Sequence, residues 1–231
     1  MKDIRIISVH IPKTAGTSFL HALESNMGID RVKRDYGNRV GRLNADVMIS
    51  DAEAFNSNVR DLDEDGIHCI HGHFPLQKYR RLIEQGWLSI TWMREPAAHL
   101  LSSYRHILRT AKTFEYLPDT IGHVTLREEL DFRAFALHPM TRNFMQRFFC
   151  VGLPYAFVGI TERYREDLSF FSQKILGSPL SYEVENSFSD LTMPIAIEAD
   201  LLKEIERLHD HDYELYRNFL RLSRMRTYAS T

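Results

Sequence analysis

The sequence feature that most constrains the fold is a run of β-branched residues that leads into a loop of small residues. The run is Ile4-Arg5-Ile6-Ile7-Ser8-Val9-His10, and its composition predicts a buried strand. It continues into Ile11-Pro12-Lys13-Thr14-Ala15-Gly16-Thr17-Ser18. A helix is predicted next, with Phe19 and Leu23 on one face. A strand, a small-residue loop and a helix in this order are the opening unit of a nucleotide-binding α/β domain.

Strands and helices alternate along the rest of the chain. Further strands are predicted at 66–73, 87–93 and 155–160. Helical periodicity predicts helices over 75–85, 96–112, 125–149 with a break near Pro139, 161–176 and 197–221. This alternation predicts an α/β fold with a central parallel sheet flanked by helices. Since no repeat or long linker divides the 231 residues, we expect a single domain over residues 1–231.

Composition excludes several classes of protein. Hydrophobic residues make up 44% and charged residues 26%, as in ordinary soluble globular chains. No apolar run approaches the roughly 18–20 residues of a membrane span, and residues 1–11 lack the apolar core of a signal peptide. The cysteines, Cys69 and Cys150, are too few for a disulfide framework. We therefore expect a cytoplasmic protein, and the net charge of −2 disfavours a nucleic-acid partner.

The loop at 12–18 has the residues that an anion-binding site needs. Small residues let backbone N–H groups approach an anion, the following helix adds the positive end of its dipole, and Lys13 supplies a cation. An ordinary tight turn capped by Thr17 or Ser18 is the alternative. A Walker A loop places its lysine directly after the second glycine, whereas Lys13 precedes Gly16 by three residues. The order of residues therefore disfavours an ATPase.

Two motifs in this chain resemble those of one enzyme family. The segment 10–19 resembles the 5′-phosphosulfate loop of sulfotransferases that use 3′-phosphoadenosine 5′-phosphosulfate (PAPS), and it is closest to the carbohydrate-modifying branch. The segment 92–104 is similar to the family's 3′-phosphate motif, R-(D/E)-P-x-x-R-x-x-S-x-Y, with His99 in place of its second arginine. More loosely, the segment 157–163 resembles the family's FVG-x-TE-R step from strand to helix.

The resemblance implies a sulfotransferase-type, P-loop-like nucleotide-binding fold and a reaction. A sulfuryl group would pass in line from PAPS to an acceptor hydroxyl, and no metal would be required. The residues expected to bind PAPS are Lys13, Thr14, Ala15, Gly16, Thr17, Ser18, Arg94 and Ser102. Lys13 would also act in catalysis by neutralising charge on the transferring group. Arg94 and Ser102 would share the 3′-phosphate, since an arginine fork and a hydroxyl suit one phosphate.

The stretch 67–74 contains a cluster of histidines, His68, His71 and His73. On a strand, His71 and His73 would share a face at its C-terminal end, where open α/β sheets bind ligands. They could be polar residues at a strand end, metal ligands together with Cys69, or a general base, because a histidine titrates near pH 6.5. The resemblance supports the base, since uronic-acid 2-O-sulfotransferases carry an HGH triplet with this role. Either His71 or His73 is expected to act, and His10 and His68 are expected to be structural.

The acceptor and the oligomeric state are left open by the sequence. A small molecule and a carbohydrate are both expected acceptors, and a polyanionic carbohydrate would need cationic residues along its length. The candidates are Arg31, Lys33, Arg34, Arg39, Arg42, Lys78, Arg80, Arg81, Arg105, Arg109 and Lys112, although such residues also form ordinary solvated surface. The alternative functions are a P-loop nucleotide or metabolite kinase or NTPase, and a non-catalytic nucleotide-binding domain.

Overall fold

Parallel strands form the centre of the structure, a computed structural model that describes residues 4–36, 66–149, 152–180 and 196–228. The strands are β1 (Ile6–Val9), β2 (Val32–Asp35), β3 (Cys69–Gly72), β4 (Leu88–Met93) and β5 (Phe157–Ile160). They form one five-stranded sheet in the order β2-β3-β1-β4-β5, and every neighbouring pair is parallel. The predicted α/β fold with a central parallel sheet is confirmed. Cys150, Arg39 and Arg42 lie outside the described residues.

Helices connect the strands and cover the sheet. They are α1 (Gly16–Met27), α2 (Arg80–Glu84), α3 (Pro96–Thr110), α4 (Ile121–Arg127), α5 (Phe132–Leu137), α6 (Tyr164–Phe170), α7 (Ala199–Leu208) and α8 (Asp210–Tyr228). Short 3-10 turns occur at Ile29–Arg31, Leu76–Tyr79, Pro139–Thr141, Met145–Phe148 and Thr161–Arg163, and a π-helical segment, Phe171–Leu176, follows α6.

Two predicted helices are divided in the structure. The stretch 125–149 contains parts of α4 and α5 followed by 3-10 turns, because Thr120 and Asp131 each cap a new helix through their side chains. The stretch 197–221 divides into α7 and α8 at His209, which is buried and whose Nε2 donates to the carbonyl oxygen of Ala136 at 3.0 Å. A hydrophobic repeat does not reveal these breaks, since they depend on polar side chains at single positions.

Strand β2, which contains Lys33 and Arg34, is not among the strands that the sequence predicts. It lies at the edge of the sheet and pairs with β3, from Val32 opposite Cys69 to Asp35 opposite Gly72. Of its residues only Val32 is buried. Charged residues are tolerated on an edge strand because its outer side faces solvent. The alternating apolar pattern that reveals a strand is therefore missing here.

Apolar side chains pack on both faces of the sheet. On one face Ile7 and Ile70 lie in a cluster with Tyr79 near α2 and Tyr216 of α8. On the other face Ile6 packs with residues of α1 and of the π-helical segment, including Phe19, Leu23 and Phe171. A third cluster joins α3 to α5 and α7. This third cluster fixes α3 beside the carboxyl ends of the strands.

Helix α8 is tied to the rest of the protein by two buried carboxylates. Asp212 accepts hydrogen bonds from the backbone N–H groups of Met145 and Gln146, at 3.1 and 2.7 Å, and burial raises its pKa to about 6. Asp167 accepts from the N–H of Ile160 at 2.8 Å and from the hydroxyl of Ser223 at 2.6 Å. The bonds of Asp212 connect α8 to the turn at Met145–Phe148, and those of Asp167 connect α8 to the end of β5. None of the described helices has the length and apolar character needed to cross a membrane.

Candidate active site

The loop between β1 and α1 contains non-glycine residues in the left-handed backbone region. Lys13 has φ of 66° and Ala15 has φ of 67°. Such residues cost on the order of 1–3 kcal/mol each and persist where the surrounding structure requires them. Alternation of left-handed and ordinary residues is the geometry of backbone nests that bind anions. Ala15 is the N-cap of α1 and makes no side-chain hydrogen bond, so the alternative, a tight turn capped by Thr17 or Ser18, is not the conformation observed.

Two buried contacts hold this loop in place. The hydroxyl of Thr14 is enclosed by protein and donates to the carbonyl oxygen of Ile11 at 2.7 Å. Gly16 lies against the ring of His10, and a Cβ at this position would fall 2.0 to 2.4 Å from the ring atoms. Glycine is therefore required at position 16 by the close approach of a side chain.

Arg94 follows the last residue of β4 and is fixed by neighbouring polar groups. Its side chain is 14% exposed, its Nη1 donates to the carbonyl oxygen of Lys13 at 3.3 Å, and its Nε lies 4.0 Å from Glu162 Oε1. Glu95 caps α3 by accepting from the N–H of Ala98 at 2.6 Å, and it also accepts from the hydroxyl of Tyr213 at 2.6 Å. The start of α3, and with it Arg94, is thus held from two sides.

His99 joins α3 to the loop. Its Nε2 donates to the carbonyl oxygen of Pro12 at 2.9 Å, and its ring stacks on Phe144 with centroids 5.6 Å apart. Burial lowers the pKa of His99 to about 4, so the ring is neutral near pH 7. Where the resembled motif has an arginine, this chain has a neutral residue that supports the loop.

His71 and His73, the two candidates for the base, lie in different environments. His71 belongs to β3 and is 1% exposed; a hydrogen bond of 2.8 Å joins its Nδ1 to Ser8 Oγ, and burial lowers its pKa to about 3. His73 lies just beyond β3, is partly exposed, and donates from Nδ1 to the carbonyl oxygen of His10 at 2.7 Å. Burial lowers the pKa of His73, so the ring is neutral near pH 7. Because Nδ1 carries the proton that it donates, the lone pair of the ring lies on Nε2.

Further residues complete the surroundings of His73. The ring of His10 lies 4.4 Å from that of His73 between centroids, and Tyr36 meets His73 edge-on at 4.9 Å. Gly72 has no room for a side chain, because a Cβ would fall 1.6 Å from the carbonyl oxygen of Asp35. The sequence predicts a structural role for His10 and gives no signal for Tyr36, because no pattern reveals strand β2, which directly precedes Tyr36.

One cavity of about 1400 Å³ collects most of the predicted site residues. Its lining includes Lys13, Ala15, Gly16, Thr17, Ser18, His73, Arg94 and Ser102. Thr14 and His71 are buried instead, at 1% exposure each. Cys69 is also buried, and burial raises the pKa of its thiol. Among the described residues no group of three or more His, Cys, Asp and Glu side chains is arranged to hold a metal ion.

The cavity has positive charge next to the loop. Burial lowers the pKa of Lys13, and repulsion from Arg109 and Arg94 lowers it further. Burial, with repulsion from Lys13 and Arg109, lowers the pKa of His106 to about 4. An anion placed beside Lys13 would relieve this repulsion, so the electrostatics favour a negatively charged ligand.

Sequence comparison finds no family model and no curated protein that matches this chain. Among solved structures, the chain is similar to one described as the crystal structure of a sulfotransferase from Alicyclobacillus acidocaldarius. The two share 15% sequence identity with a TM-score of 0.49, over 94% of this chain and 96% of the other. At this level of similarity, the function of this chain has to be argued from the geometry of its own cavity.

Proposed function

We propose that the chain is a sulfotransferase that moves a sulfuryl group from PAPS to an acceptor hydroxyl. The observation that carries the proposal is that one cavity is lined by three groups of residues. They are the loop with Lys13, whose backbone is partly left-handed, the pair Arg94 and Ser102, and His73. Two separate sets of anion-binding groups fit a nucleotide that carries phosphates at both its 5′ and 3′ positions. The resemblance of the two sequence motifs supports the same donor.

The loop and α3 divide the binding of PAPS. Backbone N–H groups at the start of α1 would bind the 5′-phosphosulfate, with Thr17 and Ser18 nearby. Arg94 and Ser102 would bind the 3′-phosphate. Ser102 is eight residues after Arg94, about 12 Å along the helix, a distance that an extended arginine side chain helps to span.

The chemistry is a displacement at sulfur. The acceptor oxygen forms a bond to sulfur while the bond from sulfur to the bridging phosphate oxygen breaks, and adenosine 3′,5′-bisphosphate leaves with the bonding electrons. Nε2 of His73 receives the proton of the acceptor hydroxyl, because Nδ1 is held by the His10 carbonyl. Lys13 offsets the charge that grows on the leaving oxygen. We assign the base to His73 and not to His71, whose ring is enclosed and bonded to Ser8.

A carbohydrate or a glycosylated metabolite is the proposed source of the acceptor hydroxyl. A sugar hydroxyl is a poor nucleophile at neutral pH, so it benefits from a neutral histidine within reach. The cytoplasm is the proposed compartment, on the ground that a chain with so few cysteines suits a reducing environment.

Thermal unfolding with matched nucleotides tests the proposal. Adenosine 3′,5′-bisphosphate at ~100 times its dissociation constant should add about 2.7 kcal/mol to the stability of the fold, with or without EDTA. Adenosine 2′,5′-bisphosphate is the control, since it has the same charge with one phosphate moved, and it should stabilise much less. Stronger stabilisation by ATP with Mg²⁺ would favour a kinase or NTPase. Tight binding of PAPS with no transfer to any hydroxyl would favour a non-catalytic domain.

A further inference from the structure

Of the two proposed acceptors, we infer that the glycosylated metabolite is the acceptor, and that it is a compact amphipathic anion with an apolar body and an acidic group that Arg109 binds. The inference rests on the proposed function, which assigns the donor to the loop and to the first half of α3. The inference concerns the part of the cavity to which no contact with PAPS is assigned, the part lined by Arg109, Phe114 and Tyr116.

The cavity is large enough for a second ligand beside the nucleotide. Its volume of about 1400 Å³ exceeds the roughly 300–1,000 Å³ typical of a small-molecule site. Arg109 lines the cavity seven residues beyond Ser102, which is two helical turns or about 10 Å further along α3 on the same face. The second half of α3 therefore faces space beyond the 3′-phosphate site.

Arg109 is exposed, and its charge is not balanced by a carboxylate of the described residues. Within residues 4–36, 66–149, 152–180 and 196–228, no carboxylate forms an ion pair with Arg109 or with Lys13. Nη2 of Arg109 makes a long hydrogen bond of 3.5 Å to Nδ1 of His106, which is neutral near pH 7 because its pKa is about 4. Among the basic residues that line the cavity, Lys13 and Arg94 are assigned to PAPS, whereas Arg109 is not.

Two of the candidate residues for binding a polymer, Arg34 and Lys78, are paired with carboxylates of the protein. Arg34 donates to both carboxylate oxygens of Glu24, at 2.7 and 2.8 Å, and Lys78 pairs with Asp35 at 2.7 Å. Of the candidate clamp residues that the structure describes, those that line the cavity are Arg105 and Arg109 of α3. Arg105 and Arg109 lie one turn apart on α3, and such a pair suits a localised anionic group. Arg147 and Arg165 also line the cavity, but they come from other elements.

An aromatic wall adjoins Arg109. Phe114 and Tyr116 line the cavity and meet edge to face, with centroids 4.7 Å apart. The hydroxyl of Tyr116 is 2.8 Å from Thr110 Oγ1, and a Cβ on Gly122 would fall 2.1 Å from the tyrosine ring. The ring is therefore seated against a glycine and held by a hydrogen bond before any ligand binds. Such a wall favours an apolar body, because removing apolar surface from water is favourable.

A matched pair of fluorescent probes tests the inference. 8-Anilinonaphthalene-1-sulfonate is an aromatic anion, and N-phenyl-1-naphthylamine has the same rings without the sulfonate. In protein saturated with adenosine 3′,5′-bisphosphate, Arg109→Gln should weaken binding of the anionic probe about tenfold, since a charge-assisted contact is lost. It should leave the neutral probe unchanged. Phe114→Ala should weaken both probes.

Lys112→Gln is the matched control, because Lys112 is exposed and close to Arg109 in sequence but does not line the cavity. It should affect neither probe. Equal effects of Arg109→Gln on both probes, or an equal loss of nucleotide affinity, would overturn the inference, as would displacement of the anionic probe by a uronic-acid polymer at low concentration. Failure of the nucleotide to bind would contradict the proposed function instead, and the probe pair would still be compared in the nucleotide-free protein.

Discussion

The part of the cavity around Arg94, here called the donor end, and the part around Lys13, His73 and Arg109, here called the transfer end, hold their charged side chains in different ways. At the donor end Arg94 lies beside Glu162, and Glu95 is bound by Tyr213 and by the first turn of α3. At the transfer end no described carboxylate pairs with Lys13 or Arg109. At the donor end, carboxylates of the protein pair with the basic side chain, whereas at the transfer end we expect the substrates to neutralise the charges of Lys13 and Arg109. Residues at the first end should govern affinity, and those at the second should govern turnover.

The largest expected effect is a loss of kcat on substitution of His73, and it distinguishes the role of His73 from that of His71. His73→Gln should lower kcat about 10³-fold, because general base catalysis typically contributes 10²–10⁴-fold. His71→Gln should leave kcat nearly unchanged and lower the free energy of unfolding by about 1–3 kcal/mol, since it removes a buried hydrogen bond to Ser8. Single-turnover kinetics and thermal unfolding of both variants provide the measurement. Loss of turnover in the His71 variant at unchanged stability would assign the base to His71.

Lys13→Ala should produce the next largest effect, again at the transfer end. We expect kcat to fall about 10²-fold, as when one charge-stabilising donor is removed from an active site, with little change in nucleotide affinity. Stability should not fall, because Lys13 lies among cations that repel it. Lys112→Ala removes the same charge outside the cavity and should have no effect on kcat. A large loss of nucleotide affinity with unchanged kcat would place Lys13 at the donor end.

Arg94→Gln should show the opposite behaviour at the donor end. It should weaken adenosine 3′,5′-bisphosphate by about 1.5–3 kcal/mol, roughly 10- to 100-fold, because a hydrogen bond to a charged group is lost. Adenosine 5′-phosphate should weaken much less. Titration calorimetry on both ligands measures the difference. Equal weakening of the two would mean that Arg94 does not bind the 3′-phosphate.

The smallest expected effect is the response of the rate to mild acid. Burial lowers the pKa of His73 below the ordinary 6.5, so at pH 6.5 more than half of the molecules keep a neutral ring. The value of kcat/KM for PAPS at this pH should therefore exceed half of its plateau, and it should decline as pH falls through the lowered pKa. His73→Gln should remove this acid limb. A limb centred above pH 6.5 would point to a group other than His73.

The strands with mostly buried residues could be predicted from the sequence, because they produce a local hydrophobic pattern. Strands β1, β3, β4 and β5 lie inside the predicted stretches, since their buried residues are contiguous in sequence. Strand β2 could not be found in this way. Of its residues Val32 alone is buried, and its strand conformation comes from pairing with β3. Pairing between distant segments leaves no periodic signal in the shorter, more polar partner.

The site divides in the same way between sequence and tertiary structure. Local pattern is enough to predict that Lys13, Gly16 and Arg94 lie at turns after strands, because β-branched runs, glycine and proline act locally. The roles of His71 and His73 depend instead on how the strands pair. A spacing of two assigns them the same face of a strand, but β3 ends at Gly72. His71 is therefore paired between β1 and β2 and enclosed, whereas His73 lies past the last pairing and reaches the cavity. Which ring meets a substrate depends on where the neighbouring strands stop covering it.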